Sequence, residues 1–309
     1  MNDAVVEDAQ SEARRGVAAG LIAYSLWGVF PVYFKIVESV APTEVLAHRI
    51  VWAIPFGALI LFFRHQWPEV RKAIMNRGML LWLGLAALCI AINWYIYIWA
   101  VQNERIFESS LGYYINPMMY VLVGVLFFGE RLSFLQTAAV VLASVGVLVL
   151  TISGDAFPWV AISLAVFFTA YGVIRKHVAI GAMPGLFVET TLLFPVAFVW
   201  LAWLVLAGQA SFGTQDVALD ALLIIAGPIT VVPLLLFAVA ARRLTLTTIG
   251  FMQFLAPTLQ FLTGVYYGET LTTPHLVCFG FVWVAVALFS LDAIKAGRKR
   301  PPQTKSVAA

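Results

Sequence analysis

The chain has 309 residues and a formal net charge of +3, with 62% of residues hydrophobic and 11% charged. Soluble domains average about 45–50% and about 25%, so no soluble fold has interior enough for this much apolar surface. The few charges gather between long apolar runs, each close to the roughly 20 residues that cross a bilayer.

Ten such runs are read, at about 17–37, 44–63, 79–101, 107–128, 133–152, 157–174, 185–206, 219–240, 245–267 and 273–292. The expected fold class is therefore an all-α polytopic membrane protein with ten transmembrane helices. The first run follows a tail holding Asp3, Glu7, Asp8 and Glu12, unlike the basic start of a signal peptide, so it is expected to be retained as a helix. The second run carries His48 and Arg49 about one turn in. A charge at mid-membrane costs about 2.5–3.5 kcal/mol on insertion scales and usually faces a cavity or a partner. Arg49 is thus a candidate to grip a substrate carboxylate or phosphate; alternatively it snorkels to headgroups or pairs with Glu44 or Glu108. His48 titrates near neutral pH and is a candidate for proton coupling as well as binding, or else a plain hydrogen-bonded histidine.

The third run aligns Asn93, Tyr97 and Ala100 on one helical face, and the fourth Ser109, Gly112, Tyr113, Asn116 and Tyr120. Asn93, Tyr97, Tyr113 and Asn116 are candidate substrate contacts, because polar groups mixed with aromatics suit a small amphipathic organic molecule. Interhelical hydrogen bonds would account for the polar groups equally, and close helix packing for the glycines. Trp94 and Trp99 are weaker candidates for stacking on a flat substrate. "SFLQ" from Ser133 reads as a capping box opening the fifth run. In the seventh, Glu189 is the acid set well inside a span away from both ends, a candidate proton relay or a structural partner for Arg175 or Lys176. The ninth offers Gln253 and Gln260 as further binding candidates. Thr273 and Pro274 open the tenth as cap and first helical residue. Cys89 and Cys278 lie inside apolar runs and are expected to be packing residues.

The fourth and ninth runs are variants of one another. "SSLGYYINPMMYVLVGVLFFGERL" from Ser109 matches "TTIGFMQFLAPTLQFLTGVYYGETL" from Thr247 in its paired hydroxyls, central proline and closing Gly-Glu. "NWYIYIWAV" from Asn93 aligns more weakly with "PLLLFAVAA" from Pro233. The copies lie five spans apart, an odd number, so they cross the membrane in opposite directions. Two inverted five-helix halves, 1–153 and 154–309, are expected, with substrate near the midplane where they meet. Pro117 and Pro257 hold matching places and are hinge candidates. Placing both termini in the cytoplasm puts 16 Lys and Arg inside and two, Lys35 and Arg105, outside, as the positive-inside rule demands.

The stretches "YSLWGVFPVYFK", "EVLAHRIVWAIPF", "AYGVIRKH" and "PLLLFAVAARRLTLTTIGFMQFLAPTLQF", together with the first repeat copy, resemble the RarD-type permeases of the EamA branch of the drug/metabolite transporter superfamily. The resemblance runs along essentially the whole chain. It implies ten helices in two EamA repeats, a place in the bacterial inner membrane, and a permease role linked by name to chloramphenicol sensitivity. Expected partners are a small-molecule substrate, the lipid bilayer, protons if transport is coupled, and a second copy of the chain in a homodimer; nucleic acid, cofactors and metals are not expected. An enzyme is not expected either, since no Gly-rich phosphate loop, HExxH or metal cluster is present. The alternatives are an amino-acid or other metabolite exporter, and a membrane channel or receptor.

Overall fold

The computed structural model describes residues 2–129, 131–153, 157–214, 216–244 and 246–299, and among these it contains helices and no strands. In chain order the helices are α1 (Asn2–Gly28), α2 (Phe30–Ile36), α3 (Pro42–Phe63), α4 (Trp67–Met75), α5 (Arg77–Gln102), α6 (Ile106–Phe128), α7 (Phe134–Ser153), α8 (Trp159–His177), α9 (Ala182–Leu206), α10 (Val217–Ala241), α11 (Leu246–Met252), α12 (Leu255–Tyr266) and α13 (Thr273–Lys299). Nine stretches among the described residues are long and apolar enough to cross a membrane, the first being Glu12–Ile36.

The ninth run of the sequence departs from expectation. It is broken at Gln253–Phe254 into α11 and α12, each too short to span alone. Pro257 has no N–H to close on the Gln253 carbonyl, which removes a helical bond just past the break. Pro117 takes the same bond from α6, yet α6 stays continuous. The first span also breaks, at Val29, where Pro31 leaves the Trp27 carbonyl without its helical donor; Gln260 Nε2 reaches that carbonyl at 3.2 Å. A further helix absent from the ten runs, α4, is a short amphipathic segment between the second and third spans. Its Glu69 accepts the Gly181 N–H at 3.2 Å, from the residue that precedes the neighbouring helix α9.

Local signals hold where they depend on neighbours in sequence. Ser133 and Gln136 exchange both bonds of the capping box at 3.1 Å. Gly129 and Gly268 take left-handed φ values of 64° and 72° at helix ends, where a Cβ would be strained. α13 begins one residue earlier than expected, with the Thr272 carbonyl accepting the Leu276 N–H at 3.1 Å. Cys89 and Cys278 are free and buried.

α3, α5, α8 and α10 form the centre, with α1 and α9 beside them. α7 packs along α13, Ala139, Ala143 and Gly146 letting the backbones approach until a Cβ on Gly146 would lie 3.0 Å from the Cys278 carbonyl. Such small-residue seams are how helices associate without a hydrophobic driving force. This pair stands aside from the centre, where the polar groups collect.

Candidate functional site

Arg49 sits at the centre of the bundle and is 3% exposed. Its Nε donates to Thr230 Oγ1 of α10 at 2.8 Å, and its Nη1 has no partner. Its guanidinium carbon lies 4.3 Å from the centroid of the Trp94 ring and 5.6 Å from those of Phe30 and Phe34. Ring faces attract a cation, and more so away from water. No carboxylate lies within ion-pairing distance among the described residues. The expected alternatives are thus not realised: Glu44 is engaged by Ser211 and Phe212, and Glu108 pairs with Arg105 at 3.3 Å.

α5, which carries Trp94, also brings Asn93 and Tyr97 to this region, with Tyr97 in electrostatic reach of Arg49. The Tyr113 hydroxyl donates to Asn93 Oδ1 at 3.1 Å, and Asn93 Nδ2 donates to the Leu164 carbonyl of α8 at 3.0 Å. The Tyr97 ring packs edge-on against Phe34 and Tyr113, while its buried hydroxyl has no partner. Arg49, Asn93, Tyr97 and Tyr113 therefore come together. The other binding candidates do not join them by any bond. Gln260 serves the freed Trp27 carbonyl; Asn116 is buried in α6 with Oδ1 unpartnered; Gln253 is half-buried at the break between α11 and α12. Thr230, Phe30 and Phe34 were not legible as site residues, because a threonine or phenylalanine in an apolar span has no distinguishing pattern.

His48 accepts at Nδ1 from Trp52 Nε1 at 3.2 Å, leaving Nε2 4.0 Å from Glu44 Oε1, beyond a hydrogen bond. Trp52 is thus a positioning partner of His48. Glu189 is fully buried, with Arg175 Nε 3.4 Å from Oε1 and the Tyr171 hydroxyl 3.3 Å from Oε2. The structural partner anticipated for Glu189 is therefore present. Among the described residues no three His, Cys, Asp or Glu side chains gather to hold a metal ion.

Around this cluster the two ends of the bundle differ. At the end bearing residues 37–41, 103–105, 207–214 and 267–272, two carboxylates cross between elements. Glu44 accepts the Ser211 N–H at 2.7 Å and hydroxyl at 3.0 Å. Glu269 accepts the first N–H groups of α6, Ile106 at 2.7 Å and Phe107 at 3.2 Å, the position where a helix favours an anion. Burial pushes the Glu269 carboxyl up to about 7, with Glu108 nearby adding to the rise, while the two N–H groups and Lys35 oppose it. The α3–α10 seam below is closed: a Cβ on Gly227 would collide with the Trp52 carbonyl. The five-span offset expected from the sequence pairs α3 and α10 with α9 and α5. There the approach is looser, since a Cβ on Gly84 would meet only Leu192 Cδ1, at 4.0 Å.

Comparison with known proteins agrees with this architecture. A profile of the EamA-like transporter family matches residues 14–152. Protein RarD of Escherichia coli K12 is 40% identical over 93% of this chain and 98% of its own. An uncharacterized transporter of Pseudomonas aeruginosa is 44% identical over 95% and 99%, and the chloramphenicol-sensitive protein RarD of the same organism 33% over 93% and 97%. A solved crystal structure shares the fold, with a TM-score of 0.57 at 18% identity over 90% of this chain and 98% of that one. The chain is a multi-pass membrane transporter and belongs to the EamA-like transporter family, among its RarD-type members.

Proposed function

We propose that the protein is a bacterial inner-membrane permease moving a small organic solute by alternating access between two inverted halves, 1–153 and 154–309. The carrying observation is that bonds across the halves converge on one buried polar cluster: Arg49 to Thr230, and Asn93 to Leu164. A carrier needs its site where the halves meet, so that rocking exposes it to each side in turn. The repeat is supported by a similar contact, in which Gln260 reaches the Trp27 carbonyl and Tyr120, 140 residues earlier, reaches the Phe168 carbonyl, one residue past the counterpart of Trp27. With both termini cytoplasmic, the end sealed by Glu44 and Glu269 is periplasmic, and the looser α5–α9 seam faces the cytoplasm. The described conformation is then closed outward.

In this reading Arg49, Asn93, Tyr97 and Tyr113 contact the solute, and His48 and Glu189 are the groups through which a proton gradient would act. The test is counterflow in proteoliposomes with a metabolite panel and chloramphenicol, with and without an imposed proton gradient, for the native protein and Glu189→Gln. Saturable flux accelerated by solute on the far side is expected of a carrier. Flux that rises linearly and ignores far-side solute would identify a channel and overturn alternating access. Gradient-driven flux lost in Glu189→Gln places that carboxylate in the coupling; flux indifferent to both leaves it structural.

A further inference from the structure

We infer that Arg49 and Tyr97 form the polar end of a site for an organic carboxylate, whose flat or apolar body lies against Trp94, Phe34 and Tyr113. The inference rests on the carrier reading above and names its substrate class.

Two arginines of the central helices, Arg49 within α3 and Arg175 in the last turn of α8, are treated differently. Arg175 has a carboxylate, Glu189, at 3.4 Å. Arg49, more deeply buried, has none. Its Nε is held by Thr230, its Nη1 is unpartnered, and aromatic rings stand in for a counter-ion. Rings offset part of the cost of a buried cation, but far less than a paired anion does. Tyr33, Tyr97 and Tyr113 all lie within electrostatic reach of this cation. The Tyr33 hydroxyl donates to the Leu222 carbonyl and that of Tyr113 to Asn93. Only the Tyr97 hydroxyl, among the three, is buried without a partner.

The Arg49 Nη1 N–H and the Tyr97 O–H are two buried donors that each lack an acceptor. A carboxylate has one negative charge and two oxygens, which matches that demand. It also leaves the occupied site neutral, so the loaded centre carries no net charge as the halves rock. A phosphate dianion would leave a charge uncompensated among Phe30, Phe34 and Trp94. A neutral solute would leave the arginine as it is.

The test uses the full-length protein purified in detergent, read by thermal stability and tryptophan fluorescence at constant ionic strength near neutral pH. The probes are phenylacetate and indole-3-acetate, their neutral amides, and phenyl phosphate. Each acid is expected to bind at least about tenfold more tightly than its amide. Tyr97→Phe removes one oxygen and little volume, and should weaken acid binding roughly three- to tenfold with little effect on the amide. Arg49→Gln should erase the preference for acid over amide; Arg49→Lys, which keeps charge without the fork, should retain part of it. Equal binding of acid and amide, no binding of either acid, tighter binding of phenyl phosphate, or an acid preference that survives Arg49→Gln would each overturn the assignment. Counterflow separates the two readings. Saturable exchange of chloramphenicol without acid recognition leaves the carrier standing and removes the carboxylate site. Acid binding without exchange of any solute does the reverse.

Discussion

Ser109–Leu132 and Thr247–Leu271 are two copies of one sequence pattern, yet they have folded differently. In the first, α6 is unbroken, and a Cβ on Gly112 would lie 2.8 Å from the Ala161 carbonyl of α8. In the second, the helix breaks before Pro257, and a Cβ on Gly250 would meet nothing within 4 Å. The same residue types thus mark a tight seam at one place and an open one at the other. Part of the difference is in the copies: Pro257 follows Gly250 by seven positions where Pro117 follows Gly112 by five, and the break at Gln253–Phe254 falls in that longer interval. Asymmetry at matching points is what the proposed alternating-access reading expects of one of its two conformations.

The strongest attempt to break this asymmetry is a wedge at the closed seam. Gly227→Val places two methyl groups where the Trp52 backbone already stands, and a backbone cannot turn aside as a side chain can. Overpacking of this kind costs about 1–3 kcal/mol, enough to shift a two-state equilibrium roughly tenfold or more. Reactivity of Thr230→Cys toward an impermeant thiol reagent from the periplasmic side should rise accordingly, and net transport should fall by a similar factor. Gly250→Val, at an open position, should change neither. Equal effects at Gly227 and Gly250 would mean that the asymmetry has no functional weight.

A second comparison uses pH. Glu269 is raised from the ordinary carboxylate range to about 7, so its folded value exceeds its unfolded one. The associated stability is fully present below about pH 4.5 and is lost as pH rises through about 7. At 1.36 kcal/mol per pH unit this amounts to about 3 kcal/mol at most. The native protein should therefore melt several degrees lower near pH 8 than near pH 5, by differential scanning fluorimetry in detergent. Glu269→Gln should flatten that dependence, because an amide cannot ionise. An unchanged slope would assign the dependence to another group.

The smallest expected effect separates the two prolines. Pro257→Ala restores the N–H that can close on the Gln253 carbonyl and rejoin α11 to α12, and should change the exchange rate a few-fold. Pro117→Ala lies in a helix that is continuous already, and should change it less than about twofold. Equal responses would return the two prolines to the symmetric hinge pair that the sequence pattern implied.

What was legible follows from how local each signal is. The capping box at Ser133 depends on neighbours within a few residues, and the sequence pattern located it. Arg49 was legible because an arginine inside a span is costly. Its partner Thr230 was not, because it lies 181 residues away and looks like any other threonine in an apolar run. Glu269 was read as the end of a repeat; that it caps the start of α6 depends on two distant helices docking. α4 went unread because nine residues reading "WPEVRKAIM" resemble a charged loop until the bundle gives them a surface to lie on.

The seam between α7 and α13 bears on how the protein is made. α7 keeps Ala139, Ala143 and Gly146 for a helix that begins about 120 residues later. At ordinary rates of synthesis that is a wait of roughly ten seconds, during which a helix built for close contact faces lipid or the insertion machinery. Nothing in the first half replaces the missing surface so fully, so completion of the last helix sets when the nascent chain can close. A ribosome that stalls within the second half would leave the first inserted but unfinished, a ready substrate for membrane quality control.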